Sequence, residues 1–167
     1  MENIWNKIEL FLADNSPLTL KSLNPGLTIE QILLFEKKFN ITLSTDYKDS
    51  LLLHNGQEYE SRKHFIVVRD SYWLLPLTEM MEECNYRINI LKLKSIDSLP
   101  IAKAGSGDCI YLNISDNKDK YGKINFHSHD GGAGNLSNSF KDFMEILYSK
   151  MIKREFNIDK DGWFELQ

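Results

Sequence analysis

Cysteine is scarce in this 167-residue chain, which holds only Cys84 and Cys109. The two stand in unrelated contexts with no second thiol close by. Zinc ribbons, redox dithiols and disulfide scaffolds need paired or numerous cysteines, so all three are set aside. Both thiols then read as small buried hydrophobes. Long apolar runs are missing as well: the longest, residues 32–35 and 65–68, fall far short of the ~20 residues that span a bilayer. Nor do the first residues resemble an export signal, since Glu2, Lys7, Glu9 and Asp14 interrupt their only apolar stretch. A cytoplasmic protein that enters no membrane is the resulting expectation, with no cofactor and no metal required. Alanine is also rare, at four residues, beside abundant Lys, Ile and Asn; that bias fits a low-GC bacterial source.

What is present is an ordinary globular composition: 42% hydrophobic, 26% charged, nine glycines and four prolines. This excludes collagen-like, disordered and coiled-coil classes. The length fits one domain, expected over residues 1–167 with a core at about 5–150 and an extension at 151–167. The net charge of −4 is uneven, because residues 1–60 hold five Lys/Arg against nine Asp/Glu while residues 61–167 hold fifteen of each. An acidic N-terminal third disfavours nucleic-acid phosphates and suits a basic partner; a solvated helical face is the plainer reading.

Apolar residues at helical spacing (Ile4, Trp5, Ile8, Phe11, Leu12) predict an N-terminal helix. Pro17 and Asn24-Pro25-Gly26 then break the chain. Thr28 and Gln31 form a capping box for a second helix, whose stripe is Ile29, Ile32, Leu33 and Phe39. Glu36 falls on its buried side, where a carboxylate needs donors or a cation. A third helix opens at Ser44-Thr45-Asp46, turns Tyr47, Leu51 and Leu52 inward, and ends at His54-Asn55-Gly56. Strands are predicted at 64–69 and 72–75, and a helix at 78–91 capped by Thr78. Further strands follow at 99–103, 108–114 and 123–129, the last two joined by a hairpin loop at 115–122. A Gly-rich loop at 130–134 precedes a final helix marked by Phe140, Phe143, Met144, Leu147 and Met151. The tail at 159–164 is a turn followed by an edge strand. The organisation is α+β.

Several clusters bear on chemistry. His127 and His129, at i and i+2 on a strand, share a face and are placed to reach one cation, with Asp130 adjacent and Asp108 or His64 as a third ligand. Two strand-end histidines capping backbone groups fit the same pattern. The glycines of 104–108 and 130–135 do not run into a helix with a Lys, as a phosphate loop requires, and serve tight turns instead. Cys109 with His127 or His129 is a formal nucleophile pair, but a reactive thiol needs exposure and a depressed pKa. Glu58, Tyr59 and Glu60, within the segment 57–62, and Trp73 combine large rings with exposed charge, as partner-binding surfaces do. A packed Trp beside an ordinary loop is the other reading.

Taken in order, Leu27-Thr28-Ile29-Glu30-Gln31-Ile32 with Glu36, Leu43 to Tyr47, Asn55-Gly56, Leu99-Pro100-Ile101-Ala102, Gly105-Ser106-Gly107-Asp108 before Tyr111-Leu112, and Gly122-Lys123-Ile124 before Phe126 to Asp130 resemble the SUKH superfamily. That superfamily includes fungal cell-wall-assembly regulators of the Smi/Knr type and bacterial immunity proteins. A closing segment from Ser139 to Phe143 fits too, and Ser44 stands where the family usually shows a proline. The resemblance implies helices, N-terminal and C-terminal, packed around a curved, mainly antiparallel sheet, and no enzymatic activity. It gives Glu36, Gly105, Gly107 and Asp108 structural roles, Glu36 and Asp108 tying helix to strand. It also implies a cognate toxin, often a nuclease, as the partner. A regulatory scaffold is the second reading, and a small metal-dependent hydrolase on His127, His129 and Asp130 the third. Tyr59, Trp73 and Trp163 are the expected aromatic anchors.

Overall fold

Strict alternation builds the centre of the molecule. In the strand Cys109–Asn113, Ile110 and Leu112 are buried while Cys109, Tyr111 and Asn113 are half-buried; in Ile124–His127, Ile124 and Phe126 turn inward. Period-two burial of this kind marks a sheet with one face on the core. The computed structural model describes residues 1–68 and 70–166; Arg69, the end of the predicted 64–69 strand, and Gln167 lie outside the described residues.

The elements are α1 (Glu2–Asn15), α2 (Pro17–Ser22), β1 (Leu23–Pro25), α3 (Ile29–Phe39), α4 (Thr45–Leu51), β2 (His54–Gln57), β3 (Ile66–Val67), β4 (Ser71–Leu74), α5 (Leu77–Asn89), β5 (Ser98–Ala104), β6 (Cys109–Asn113), β7 (Ile124–His127), β8 (Ala133–Ser137), α6 (Phe140–Lys153), β9 (Phe156–Ile158) and β10 (Phe164–Leu166). Strands β3 to β8 pair antiparallel in sequence order, each with its neighbour, and the sheet curls into a half-barrel. Two ribbons, β1–β2 and β9–β10, stand beside it. The fold is α+β, as predicted.

Helices α1 and α6 pack against each other, and α6 packs on β8. Trp5, Ile8 and Leu12 from α1 and Phe140, Met144 and Leu147 from α6 join the sheet's inner side chains in one cluster. Burying each such side chain contributes about 1.5–3 kcal/mol. Trp5 also donates its indole N–H to Ser50 Oγ at 2.8 Å, tying α1 to α4. The tail belongs to the same core: Phe156 and Phe164 are buried, and the Phe164 N–H donates to the His64 carbonyl at 3.1 Å. Among the described residues no helix is long and apolar enough to cross a membrane.

Several predicted details are corrected. The stripe of α3 is Ile32, Phe35 and Phe39, whereas Ile29 is 44% and Leu33 52% exposed. The four apolar residues in a row at 32–35 fill more than one face, so periodicity misplaced the stripe by part of a turn. Leu52 likewise faces outward. Pro17 begins α2 rather than only breaking the chain, in keeping with its favoured first-turn position. Asn24-Pro25 and His54-Asn55-Gly56 are not a free turn and a helix end; they pair as β1 and β2. Residues 133–137 form edge strand β8 on β7 rather than loop. Thr78 does not cap α5: its first N–H, from Leu77, is received by Asn55 Oδ1 at 2.8 Å. The Thr28–Gln31 capping box is present in full.

Candidate functional site

Residues 58–65 loop out between β2 and β3, and their base is held by an interior polar chain. The buried Gln57 amide donates to Ser22 Oγ at 2.7 Å and to the Lys63 carbonyl at 2.8 Å, and its Oε1 accepts the Leu74 N–H at 2.9 Å. Every polar atom of this side chain is satisfied, which is what makes its burial tolerable. Ser22 Oγ in turn donates to the Thr19 carbonyl at 2.7 Å, and the Thr19 and Ser16 hydroxyls both donate to the Gly162 carbonyl at 2.9 Å. The chain thus links the loop base to the turn that carries Trp163. Gly56 precedes Gln57 with φ +61°, and a Cβ there would lie 2.4 Å from the Leu75 carbonyl carbon. Only glycine fits that approach.

Above this base stands a ladder of rings and cations. The Arg62 guanidinium lies over the Tyr59 ring at 4.4 Å and over the Trp73 ring at 4.1 Å. It also donates to both oxygens of Glu79, on α5, at 2.9 and 3.1 Å. His64 stacks on Trp73 with centroids 5.0 Å apart and planes 9° from parallel. Trp163 meets His64 edge-on at 4.6 Å, and Lys63 lies over Trp163 at 4.7 Å. Burial holds the His64 pKa below its ordinary value; the Asp70 charge opposes this and the Arg62 charge adds to it. The neutral imidazole is therefore favoured, as suits a ring packed flat on an indole. The Trp73 indole N–H is buried and has no hydrogen-bond partner. Beside the ladder opens a cleft of about 630 Å³. Glu58, Tyr59, Glu79 and Glu82 line it, and among the described residues no Lys or Arg does.

The structure brings Tyr59 and Trp73 together through Arg62 and sets Glu58 on the same cleft; Trp163 joins through His64. Glu60 is exposed on the loop. Arg62 ends the segment 57–62 that the sequence singled out, whereas Lys63, His64, Glu79 and Glu82 were missed as members of this surface. Lys63 and His64 adjoin that segment, but Glu79 and Glu82 lie on α5 and carry no local signal.

The residues assigned structural roles lie elsewhere. Glu36 accepts the Leu43 N–H at 2.7 Å and pairs with Lys48 at 3.3 Å. It therefore ties α3 to α4 and the segment before it, not to a strand as expected. Asp108 is buried at the β5–β6 turn and accepts both the backbone N–H of His129 at 2.9 Å and its ring at 2.7 Å. These bonds hold the Asp108 carboxyl below its ordinary pKa and raise that of His129. Gly107, at φ +97°, makes the turn, while Gly105 has open space where a side chain would stand.

The shared-cation reading of His127 and His129 fails on its premise. Strand β7 stops at His127, a turn begins with Ser128 N–H donating to the Gly132 carbonyl, and His129 faces Asp108. His127 packs on Tyr111 instead. Among the described residues no three His, Cys, Asp or Glu side chains converge to hold a metal ion. Cys84 is buried as expected, but Cys109 is only half-buried. Burial pushes the Cys109 thiol pKa up, the reverse of what a nucleophile needs.

Curled sheet, flanking helices and an exposed ring-and-charge surface define a class: α+β interaction domains. The family model for SMI1 / KNR4 (SUKH-1) matches residues 26–146, and the chain belongs to that family. Domains of this family act in general as protein–protein interaction modules. The chain is also 32% identical, over 79 residues, to a glucan synthesis regulatory protein of Neurospora crassa. The match covers 47% of this chain and 14% of that relative's length.

Proposed function

We propose that this chain is a bacterial immunity protein, acting in the cytoplasm, that neutralises a cognate toxin by stoichiometric binding without catalysing any reaction. The observation that carries the reading is the surface at residues 58–64, Trp73 and Trp163. Tyr59 is 70% exposed, and two tryptophans and an arginine stand beside it, the side chains that dominate binding energy at interfaces. The acidic cleft next to them complements a basic partner. A nuclease, whose nucleic-acid face is basic, is such a partner.

The test is a pull-down from native lysate with the tagged chain, followed by titration of the purified toxin. One partner at one-to-one stoichiometry, bound more tightly than micromolar and inactivated in the complex, is the expected outcome. Micromolar or weaker affinity would sink the inhibitor reading. The similarity to a fungal regulatory protein favours a second reading, an interaction module with several looser partners. Multiple substoichiometric partners and no toxin would select it.

A further inference from the structure

The geometry points to a cation cage formed by Tyr59, Trp73 and Glu79, filled at rest by the chain's own Arg62 and taken over by an arginine side chain of a protein partner. The inference rests on reading residues 58–64 and Trp73 as the partner surface and names the chemistry recognised there.

Three observations support it. First, the cage has the parts that select a guanidinium: two ring faces at 4.4 and 4.1 Å and a carboxylate engaged through both oxygens. One nitrogen, Nη1, donates to both oxygens, so it is the flat stacking against two rings that fits Arg and fits Lys poorly. Secondly, the occupant can leave without undoing the fold. Arg62 belongs to the loop and lies against the exposed Tyr59 rather than within the hydrophobic core. The loop stays anchored one residue later, at the Lys63 carbonyl, by Gln57. Thirdly, the cleft beside the cage has room for an approaching chain, and among the described residues its charged walls are all acidic: Glu58, Glu79 and Glu82.

Agmatine, a free guanidinium on a short aliphatic stem, is the probe. Its binding is followed by tryptophan fluorescence and by the shift of the Trp73 indole N–H resonance. Arg62→Ala opens the cage, and Arg62→Gln does so with a side chain of similar reach, in case the first variant folds poorly. Both are expected to bind agmatine roughly tenfold or more tightly than the parent, in which the tethered Arg62 competes. Adding Glu79→Gln should remove that gain, because the carboxylate charge and its second acceptor oxygen are lost. Folded Arg62 variants that bind agmatine no better than the parent overturn the cage, as does a gain that persists with Glu79→Gln. The two readings fail separately. A cage that takes agmatine in a chain that captures no toxin defeats only the proposed function. A toxin held equally well by Glu79→Gln and the parent defeats only the cage.

Discussion

Two polar clusters stand at different places on the same sheet, and they use their side chains in opposite ways. At the β5–β6 turn, Asp108 spends its acceptor capacity on His129, and Asp70 spends its own on Ser106 Oγ and the Ser71 N–H. Partners are mutual, and what remains is a closed knot joining three turns. At the 58–64 loop the base is equally closed, through Gln57, but the surface above it is not. Tyr59 offers an open ring face, Trp73 an unused donor and Glu82 an exposed carboxylate beside a cleft. A cluster rich in histidine and aspartate thus serves structure, while one with less obvious chemistry keeps capacity for a partner. Richness in chemical groups is a poor guide to function until one asks which groups are already satisfied.

That contrast can be broken at its base first. Gly56→Ala places a methyl against the Leu75–Pro76 backbone at a left-handed residue, and it should destabilise the protein by about 3 kcal/mol or more. Denaturant unfolding would show it, and a midpoint within experimental error of the parent would mean the backbone there relaxes freely. Next comes Tyr59→Ala, which should weaken binding of the proposed toxin by about 2 kcal/mol or more while leaving the melting temperature unchanged. A loss of stability equal to the loss of affinity would make Tyr59 a structural residue and erase the distinction between the clusters.

Asp108→Ala should behave in the reverse way. Removing the carboxylate deprives the His129 N–H and ring of their acceptor and should lower stability with affinity for the proposed toxin retained, measured by unfolding and titration side by side. Glu36→Ala should match it in size, since it leaves the Leu43 N–H without its acceptor; a variant that melts like the parent but loses its partner would move Glu36 into the binding surface. The smallest effect is in pH. The raised His129 pKa contributes stability that is complete below the ordinary value of 6.5 and fades as pH climbs through the folded value. The depressed Asp108 pKa contributes stability that is complete above the ordinary 3.8 and is lost as pH falls through the folded value. The knot is therefore strongest between those two ordinary values. His129→Gln should flatten the alkaline side of the stability curve and leave the acid side in place, a difference read directly from urea midpoints across pH.

Legibility in the sequence followed the range of the interactions. The capping box at Thr28–Gln31, the α6 stripe and the alternation of β6 and β7 are set by residues within a few positions of one another, and each was readable. The β1–β2 ribbon joins segments about thirty residues apart, so Asn24-Pro25 and Asn55-Gly56 looked like isolated punctuation. Asn55 caps α5 from a distant strand, where local reasoning chose Thr78. In the site, Tyr59 and Trp73 were visible as large rings among charges. Nothing in the string of residues connects them to Glu79 or Trp163.

By itself, then, the sequence determined the class of fold, the inward faces of most strands and helices, and the family pattern, because burial periodicity and caps are local physics. Which polar groups neutralise one another was decided only by tertiary structure. His129 pairs with Asp108 across a turn, Arg62 lies between two rings and reaches a third element, and Gln57 closes the loop. Each such pairing depends on distances between segments far apart in the chain, and an acceptor used by one neighbour is no longer free for another.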